Sequence, residues 1–121
     1  MSKVVFCEDD LMIRKLIQTA LRATTHQVRY AENGAAGLAL IVADPPDVVF
    51  TDVSMPEMDG FQLADTLKGR ADLAHIPIVF MTASVQRDQI EECFRHGAAG
   101  HIGKPFTMAE LRARLALFAK S

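Results

Sequence analysis

Short, unbroken apolar runs that stop at polar residues constrain this chain most. Val4-Val5-Phe6-Cys7 ends in Glu8-Asp9-Asp10, Val48-Val49-Phe50-Thr51 ends in Asp52, and Ile76-Pro77-Ile78-Val79-Phe80-Met81 ends in Thr82. A strand apolar on both sides needs cover on both faces, which a parallel sheet between helix layers supplies. Val28-Arg29-Tyr30-Ala31 alternates apolar and polar instead, as a more exposed strand does. Gly100-His101-Ile102-Gly103 is a weaker fifth strand, assigned mainly by its place in the pattern.

Helical segments fill the gaps. Ile13, Leu16, Ile17, Ala20 and Leu21 fall on one helix face, with Asp10 as its N-cap. Asn33-Gly34 opens a second helix and Asp44-Pro45-Pro46 stops it. Ala35 to Ala43 is apolar nearly all round, so its buried face is not readable from period. A third helix is expected from Asp59 to Arg70, with Phe61, Ala64 and Leu67 inward. A fourth begins near Ser84, carries Ile90 and Phe94, and stops at Gly97. In the fifth, Thr107 and Glu110 form a capping box ahead of Leu111, Leu115 and Phe118. Strand and helix thus alternate five times, which implies an α/β fold with a mainly parallel sheet and right-handed crossovers. Residues 1–121 read as one domain without repeats or linkers.

Composition narrows the function classes. Half of the 121 residues are apolar, which fits one globular core and excludes a disordered tail. Thirteen basic residues stand against 15 acidic ones, without a basic block, so no nucleic-acid-binding surface is expected. Cys7 and Cys93 have no metal-ligand spacing and read as free thiols. No apolar run approaches the roughly 18–20 residues of a membrane span, and the amino-terminal run is too short for a signal peptide. A cytoplasmic location without membrane contact is therefore expected. The Met1 start and the end at Ser121 favour a single-domain protein over an excised domain.

In an open parallel sheet, ligands bind beyond the carboxyl ends of the strands. Those ends carry Glu8 and Asp9, Asp52, Thr82 and, after the fifth strand, Lys104. Three carboxylates in one cleft repel; at ~5 Å and an effective dielectric near 20 each pair costs about 3 kcal/mol. Lys104 supplies one counter-charge and a hard divalent cation such as Mg²⁺ suits the remainder. Such a site is equipped to bind a phosphoryl group, or to lodge one covalently on a carboxylate. Taken singly, each residue has a plainer reading: Glu8-Asp9-Asp10 as helix caps, Thr82 as structural, Lys104 as a solvated loop residue. Their joint occurrence at successive strand ends argues for chemistry.

With those residues in place, the sequence closely resembles the receiver domain of two-component response regulators, the CheY-like family. The resemblance covers nearly the whole chain. It rests on Val5-Phe6-Cys7-Glu8-Asp9-Asp10, on Asp52-Val53-Ser54-Met55-Pro56-Glu57-Met58-Asp59-Gly60, and on Ile76-Pro77-Ile78-Val79-Phe80-Met81-Thr82-Ala83. Gly97-Ala98-Ala99-Gly100 and Lys104-Pro105-Phe106 complete it. It implies a doubly wound (βα)5 sheet in the order 2-1-3-4-5. It also implies Asp52 as the phosphoacceptor, served by a histidine kinase or a histidine phosphotransfer protein. Mg²⁺ is then held by Glu8, Asp9, Asp52 and the backbone carbonyl of Ser54, while Thr82 and Lys104 bond the phosphoryl oxygens. The output is a population shift on the surface of the fourth helix, fifth strand and fifth helix, read by a downstream protein. The implied activity is confined to the domain's own phosphotransfer and dephosphorylation, not enzymatic turnover of a separate substrate.

The main departure is His101, which stands where relatives carry an aromatic switch residue. An imidazole can rotate with Thr82, but a solvent-facing histidine without a switch role is the alternative. Leu11, Met12 and Lys15 lie off the inward stripe of the first helix and suit a kinase-docking face, together with Pro105-Phe106. Ser54 and Ser84 are expected to influence the hydrolysis rate. A haloacid-dehalogenase-type phosphatase would need an aspartate at Ser54. A flavin binder would need a hydroxyl- and glycine-rich loop at Glu8-Asp9-Asp10. The remaining competitor is a receiver-like protein-interaction module that acts without phosphorylation.

Overall fold

The computed structural model describes residues 2–83 and 86–118. Its elements are β1 (Lys3–Cys7), α1 (Leu11–Leu21), β2 (Gln27–Ala31), α2 (Gly34–Ala43) and β3 (Val48–Asp52). α3 (Gly60–Lys68), β4 (Ile78–Thr82), α4 (Arg87–Arg95), β5 (Gly100–Gly103) and α5 (Met108–Phe118) follow. The strands pair in parallel in the order β2-β1-β3-β4-β5. The chain winds outward from β1 to β2, then returns to β3 and winds the other way. The strand order therefore switches between β1 and β3.

Continuous apolar runs become two core layers because successive side chains point to opposite faces. Val4, Phe6, Val48, Phe50, Val79 and Met81 meet Ile17 and Leu21 of α1 and Leu111 and Leu115 of α5. Val5, Cys7, Val49, Ile78 and Phe80 meet Ile41 of α2, Leu63 and Leu67 of α3 and Cys93 of α4. Phe6 and Phe50 stack at 4.9 Å in the middle of the first layer. Each such buried aromatic contributes on the order of 2–3 kcal/mol.

The caps read from sequence are present. Asp10 accepts from the Met12 and Ile13 amides at 2.8 and 3.2 Å. Asn33 accepts from the Ala36 amide at 2.8 Å. Thr107 and Glu110 exchange bonds of 3.0 and 3.2 Å. Asp59 and Gln62 form a further capping box at the start of α3. Gly97 ends the α4 region in the left-handed conformation, at φ 86°, as glycine readily does.

Three expectations need correction. Leu63, absent from the expected inward set of α3, is deeply buried, while Phe61 is half-buried and packs inward edge to face on Phe80 at 5.2 Å. On α4, Cys93 is buried and Phe94 is 49% exposed. The two are neighbours about 100° apart round the helix, so seating Cys93 on the sheet turns Phe94 outward. α3 also ends at Lys68, two residues short of Arg70. The expected start of the fourth helix at Ser84 lies outside the described residues. Among the described residues, no helix is long and apolar enough to cross a membrane.

Period could not orient α2, but close packing does. Gly34, Gly37 and Ile41 form its buried stripe. A Cβ on Gly37 would lie 2.3 Å from Cys7 Sγ, and Cys7 is fully buried. Gly37→Ala gains about 1 kcal/mol of helix propensity but overpacks the core at a cost of about 1–3 kcal/mol. A net loss of stability is expected in urea unfolding. Adding Cys7→Ala should recover part of it, as a non-additive double-mutant cycle.

His96 ties α4 to α3. Its Nδ1 lies 2.7 Å from Asp65 Oδ1 and its Nε2 3.0 Å from Glu92 Oε1. Its ring stacks on Phe61 at 4.4 Å. The hydrogen bond to Asp65 raises the His96 pKa, burial opposes this, and Glu92 adds to the rise. Folding therefore favours the imidazolium. Its stabilisation is complete below the unfolded value of about 6.5 and is lost as pH rises through the folded value. The wild-type advantage over His96→Gln in urea midpoint should shrink as pH is raised from about 6 towards 9. A pH-independent difference would contradict the tether.

Candidate functional site

Strand register builds the site. Cys7 pairs with Thr51, so Glu8 and Asp52, each one residue further on, emerge side by side. Asp52 pairs with Met81, which puts Thr82 one step beyond it on the next strand. Thr82 pairs with Gly103, and Lys104 follows. The acidic and basic groups thus collect at the β1/β3 switch, where an open α/β sheet leaves a crevice.

Local contacts hold them there. The Glu8 amide donates to the Ala31 carbonyl at 2.9 Å. The Arg14 guanidinium donates to the Glu8 carbonyl at 2.7 Å. The Gly60 amide donates to the Val53 carbonyl at 2.8 Å and draws the start of α3 beneath the loop after β3. A Cβ on Gly60 would stand 2.1 Å from the Asp52 carbonyl oxygen, so only glycine permits that approach. The Lys104 amide donates to the Thr82 carbonyl at 2.8 Å. The peptide after Lys104, leading into Pro105, is cis.

Ligand oxygens of Glu8, Asp9 and Asp52 lie within 4.8 Å of one another. Lys104 Nζ is 2.9 Å from Asp52 Oδ2 and 2.5 Å from Glu8 Oε1. The Glu8 contact is an ion pair out of hydrogen-bond alignment, which leaves its buried Oε1 without a hydrogen-bond partner. Glu8 Oε2 accepts from the Asp10 amide at 3.1 Å. Burial pushes the Glu8 carboxyl well above the usual carboxylate range; Lys104 and the Asp10 amide oppose this, and the Asp52 charge adds to it. Desolvation pulls Lys104 down, but its close contacts with the Glu8 and Asp52 carboxylates outweigh that and keep it above its ordinary value.

Of the Glu8-Asp9-Asp10 run, only Asp10 caps α1; Glu8 is buried and Asp9 exposed in the acidic cluster. Thr82 is 3% exposed. It lines a cleft of about 310 Å³ with Asp52, Val53, Ser54, Ala83 and Lys104. Ser54 is exposed on the loop after β3, and Ser84 lies outside the described residues. His101 is half-buried, with its ring 6.1 Å from that of Phe94, edge to face. It stands on the α4–β5 surface, away from the acidic cluster. A second hollow, about 370 Å³ and mostly apolar, lies between Ile13, Leu16, Ala83, Pro105 and Phe106. Leu11 and Met12 are exposed on the same helix as Ile13.

Two contributors escape a reading of the sequence. Arg14 holds the Glu8 carbonyl, and Gln89 of α4 lines the cleft over Asp52. A polar residue in the first turns of a helix is ordinary, so nothing in the sequence singled either out.

The donor set suits a divalent oxygen-seeking cation. Three carboxylates face one ammonium, and one buried carboxylate oxygen lacks a hydrogen bond. Hard cations such as Mg²⁺ take such incompletely filled acidic sites together with water or phosphate oxygens.

Known proteins share this arrangement of strands and sequence. Transcriptional regulatory protein RprY of Bacteroides fragilis is 37% identical over 113 residues, which cover 93% of this chain and 47% of that protein. The chain thus spans about half the length of RprY. Chemotaxis protein CheY-3 of Vibrio cholerae is 32% identical over 114 residues, covering 93% of this chain and 88% of that protein. The solved structure of the chemotaxis response regulator CheY4 of Vibrio cholerae superposes with a TM-score of 0.92 at 28% identity. That match covers 98% of this chain and 99% of the other. The family model described as the response regulator receiver domain matches residues 4–116. Motifs, strand order and relatives agree: this chain belongs to the receiver domain family of two-component response regulators.

Proposed function

We propose that Asp52 accepts a phosphoryl group from a phosphohistidine, borne by a histidine kinase or a histidine phosphotransfer protein. The observation that carries this reading is the meeting of Asp52 with Glu8, Asp9 and Lys104 at the switch in strand order. An Asp52 carboxylate oxygen attacks phosphorus, the P–N bond breaks, and its electron pair leaves with the donor imidazole. Lys104 is 2.9 Å from Asp52 Oδ2 and stands ready to neutralise charge on the transferring oxygens. The Thr82 hydroxyl bonds a phosphoryl oxygen once the group has arrived, and the Thr82 carbonyl is already tied to the Lys104 amide.

Glu8, Asp9, Asp52 and the Ser54 carbonyl would hold Mg²⁺. When bound, the ion supplies positive charge that offsets both the carboxylates and the phosphoryl oxygens. Such binding stabilises the folded state alone. Millimolar Mg²⁺ should raise the thermal midpoint of the wild-type protein, and Asp9→Asn should lose most of that rise. An equal rise in both would remove Asp9 from the site.

Phosphorylation then shifts a two-state equilibrium that is read on α4, β5 and α5 by a downstream protein. His101, half-buried beside Phe94, is the proposed partner of Thr82 in that shift. The exposed Leu11 and Met12 and the hollow at Pro105-Phe106 suit the phosphodonor protein. The domain's chemistry is its own phosphorylation and dephosphorylation, in the cytoplasm, without direct contact with nucleic acid or membrane.

Incubation with acetyl phosphate and Mg²⁺ should give one phosphoryl adduct by intact mass. Asp52→Asn or a chelator should abolish it. Failure with both acetyl phosphate and phosphorylated histidine kinases, in folded protein, would favour an interaction module that works unmodified.

A further inference from the structure

Gln89 sits near the start of α4, half-buried, and lines the cleft over Asp52 opposite Val53 and Ser54. Of its polar neighbours in the cleft, Lys104 pairs with Asp52 and Glu8, Thr82 is tied through its carbonyl to the Lys104 amide, and Ser54 is an exposed hydroxyl on the loop after β3. The Gln89 carboxamide has no hydrogen-bond partner among the described residues. An amide without a partner among the described residues thus lines the space into which a group on Asp52 would project.

The chemistry of that space specifies what an amide can do there. Removing a phosphoryl group from Asp52 requires water to attack phosphorus in line with the bond to the carboxylate, and hence from the open side of the cleft. Lys104 and Thr82 engage the phosphoryl oxygens and the acidic cluster faces the metal, which leaves Gln89 and the shorter Ser54 hydroxyl as the neutral groups at the mouth. A carboxylate at the mouth would repel a phosphoryl dianion. A carboxamide carries no charge, accepts through its oxygen and donates through its nitrogen. Phosphoryl transfer uses a glutamine in this way elsewhere, to orient the attacking water.

We propose that Gln89 positions the water that hydrolyses the Asp52 acyl phosphate, and so sets the lifetime of the phosphorylated state. The inference rests on the assignment of Asp52 as phosphoacceptor. The water oxygen bonds to phosphorus and the P–O bond to Asp52 breaks, its electron pair returning to the carboxylate. The water's two protons remain on the departing phosphate, as H2PO4⁻. Gln89 is unchanged: its carbonyl oxygen accepts a hydrogen bond from the water and its amide nitrogen can donate to a phosphoryl oxygen. It is a positioning residue and exchanges no proton.

The test uses the full chain, phosphorylated with acetyl phosphate and Mg²⁺, freed of donor, and followed by intact mass. Gln89→Leu should still accumulate the adduct but lose it about tenfold more slowly than wild type. Gln89→Asn keeps the neutral carboxamide on a shorter arm close in shape to leucine, and should regain part of the decay rate lost in Gln89→Leu. A role limited to filling space predicts no such recovery. Wild-type decay in Gln89→Leu, faster decay in it, or equal slowing in both variants would each overturn the proposal. An absent adduct on the wild-type chain would instead overturn the assignment of Asp52, and the proposal with it. Circular dichroism checks that the variants are folded.

Discussion

The Lys104 ammonium lies between two carboxylates that the sheet forces together. Glu8 follows β1 and Asp52 ends β3, and the parallel register of these strands allows no other arrangement. At ~4 Å and an effective dielectric near 20, a like-charge pair costs about 4 kcal/mol, comparable to what each contact with the ammonium returns. Asp9 adds a third negative charge, so one lysine leaves the cluster under-compensated. A buried ion pair of this kind is seldom a source of net stability. Its meaning here is chemical: the fold holds a charge deficit that the proposed divalent cation and phosphoryl group would answer together.

Other features serve that placement. Gly60 brings α3 up beneath the Asp52 peptide, Gly37 seats α2 on Cys7, and the Asp59–Gln62 box begins α3 where the loop after β3 ends. The rigid part of the site is strand-borne. The side facing α4 is different in kind, because α4 buries only Cys93 among its residues and is secured to α3 through the titratable His96. Few buried apolar contacts and a polar tether make α4 the less firmly packed side of the site. The same helix carries Gln89 over the cleft and Phe94 against His101, so chemistry at Asp52 and the outer surface share one element.

Much of this was legible before any coordinates. Apolar runs ending in Glu8, Asp52 and Thr82 marked strands covered on both faces, and their ends marked the acidic rim. Caps at Asp10 and Thr107, and the helix opening at Asn33-Gly34, were readable because short polar side chains satisfy free amides in a recognisable pattern. What escaped depended on three dimensions. The buried face of α2 is set by the fit of Gly37 against Cys7, which no periodicity in an all-apolar helix can reveal. The outward turn of Phe94 follows from seating Cys93, a small residue that pattern reading overlooks. Arg14 and Gln89 are polar residues on helices, like many on any surface, until the fold aims them at Glu8 and Asp52. Strand order came from the resemblance to receiver domains, since alternating strands and helices alone permit several orders.

The identity of the atom that carries the phosphoryl group is decisive. Borohydride reduction converts an aspartyl phosphate to homoserine, and peptide mapping by mass spectrometry then locates it. After phosphorylation with acetyl phosphate and Mg²⁺, homoserine should appear at position 52 alone. Homoserine at position 9, or phosphate retained on a serine, threonine or histidine with Asp52 intact, would contradict the assignment of the acidic cluster as a phosphoacceptor site centred on Asp52.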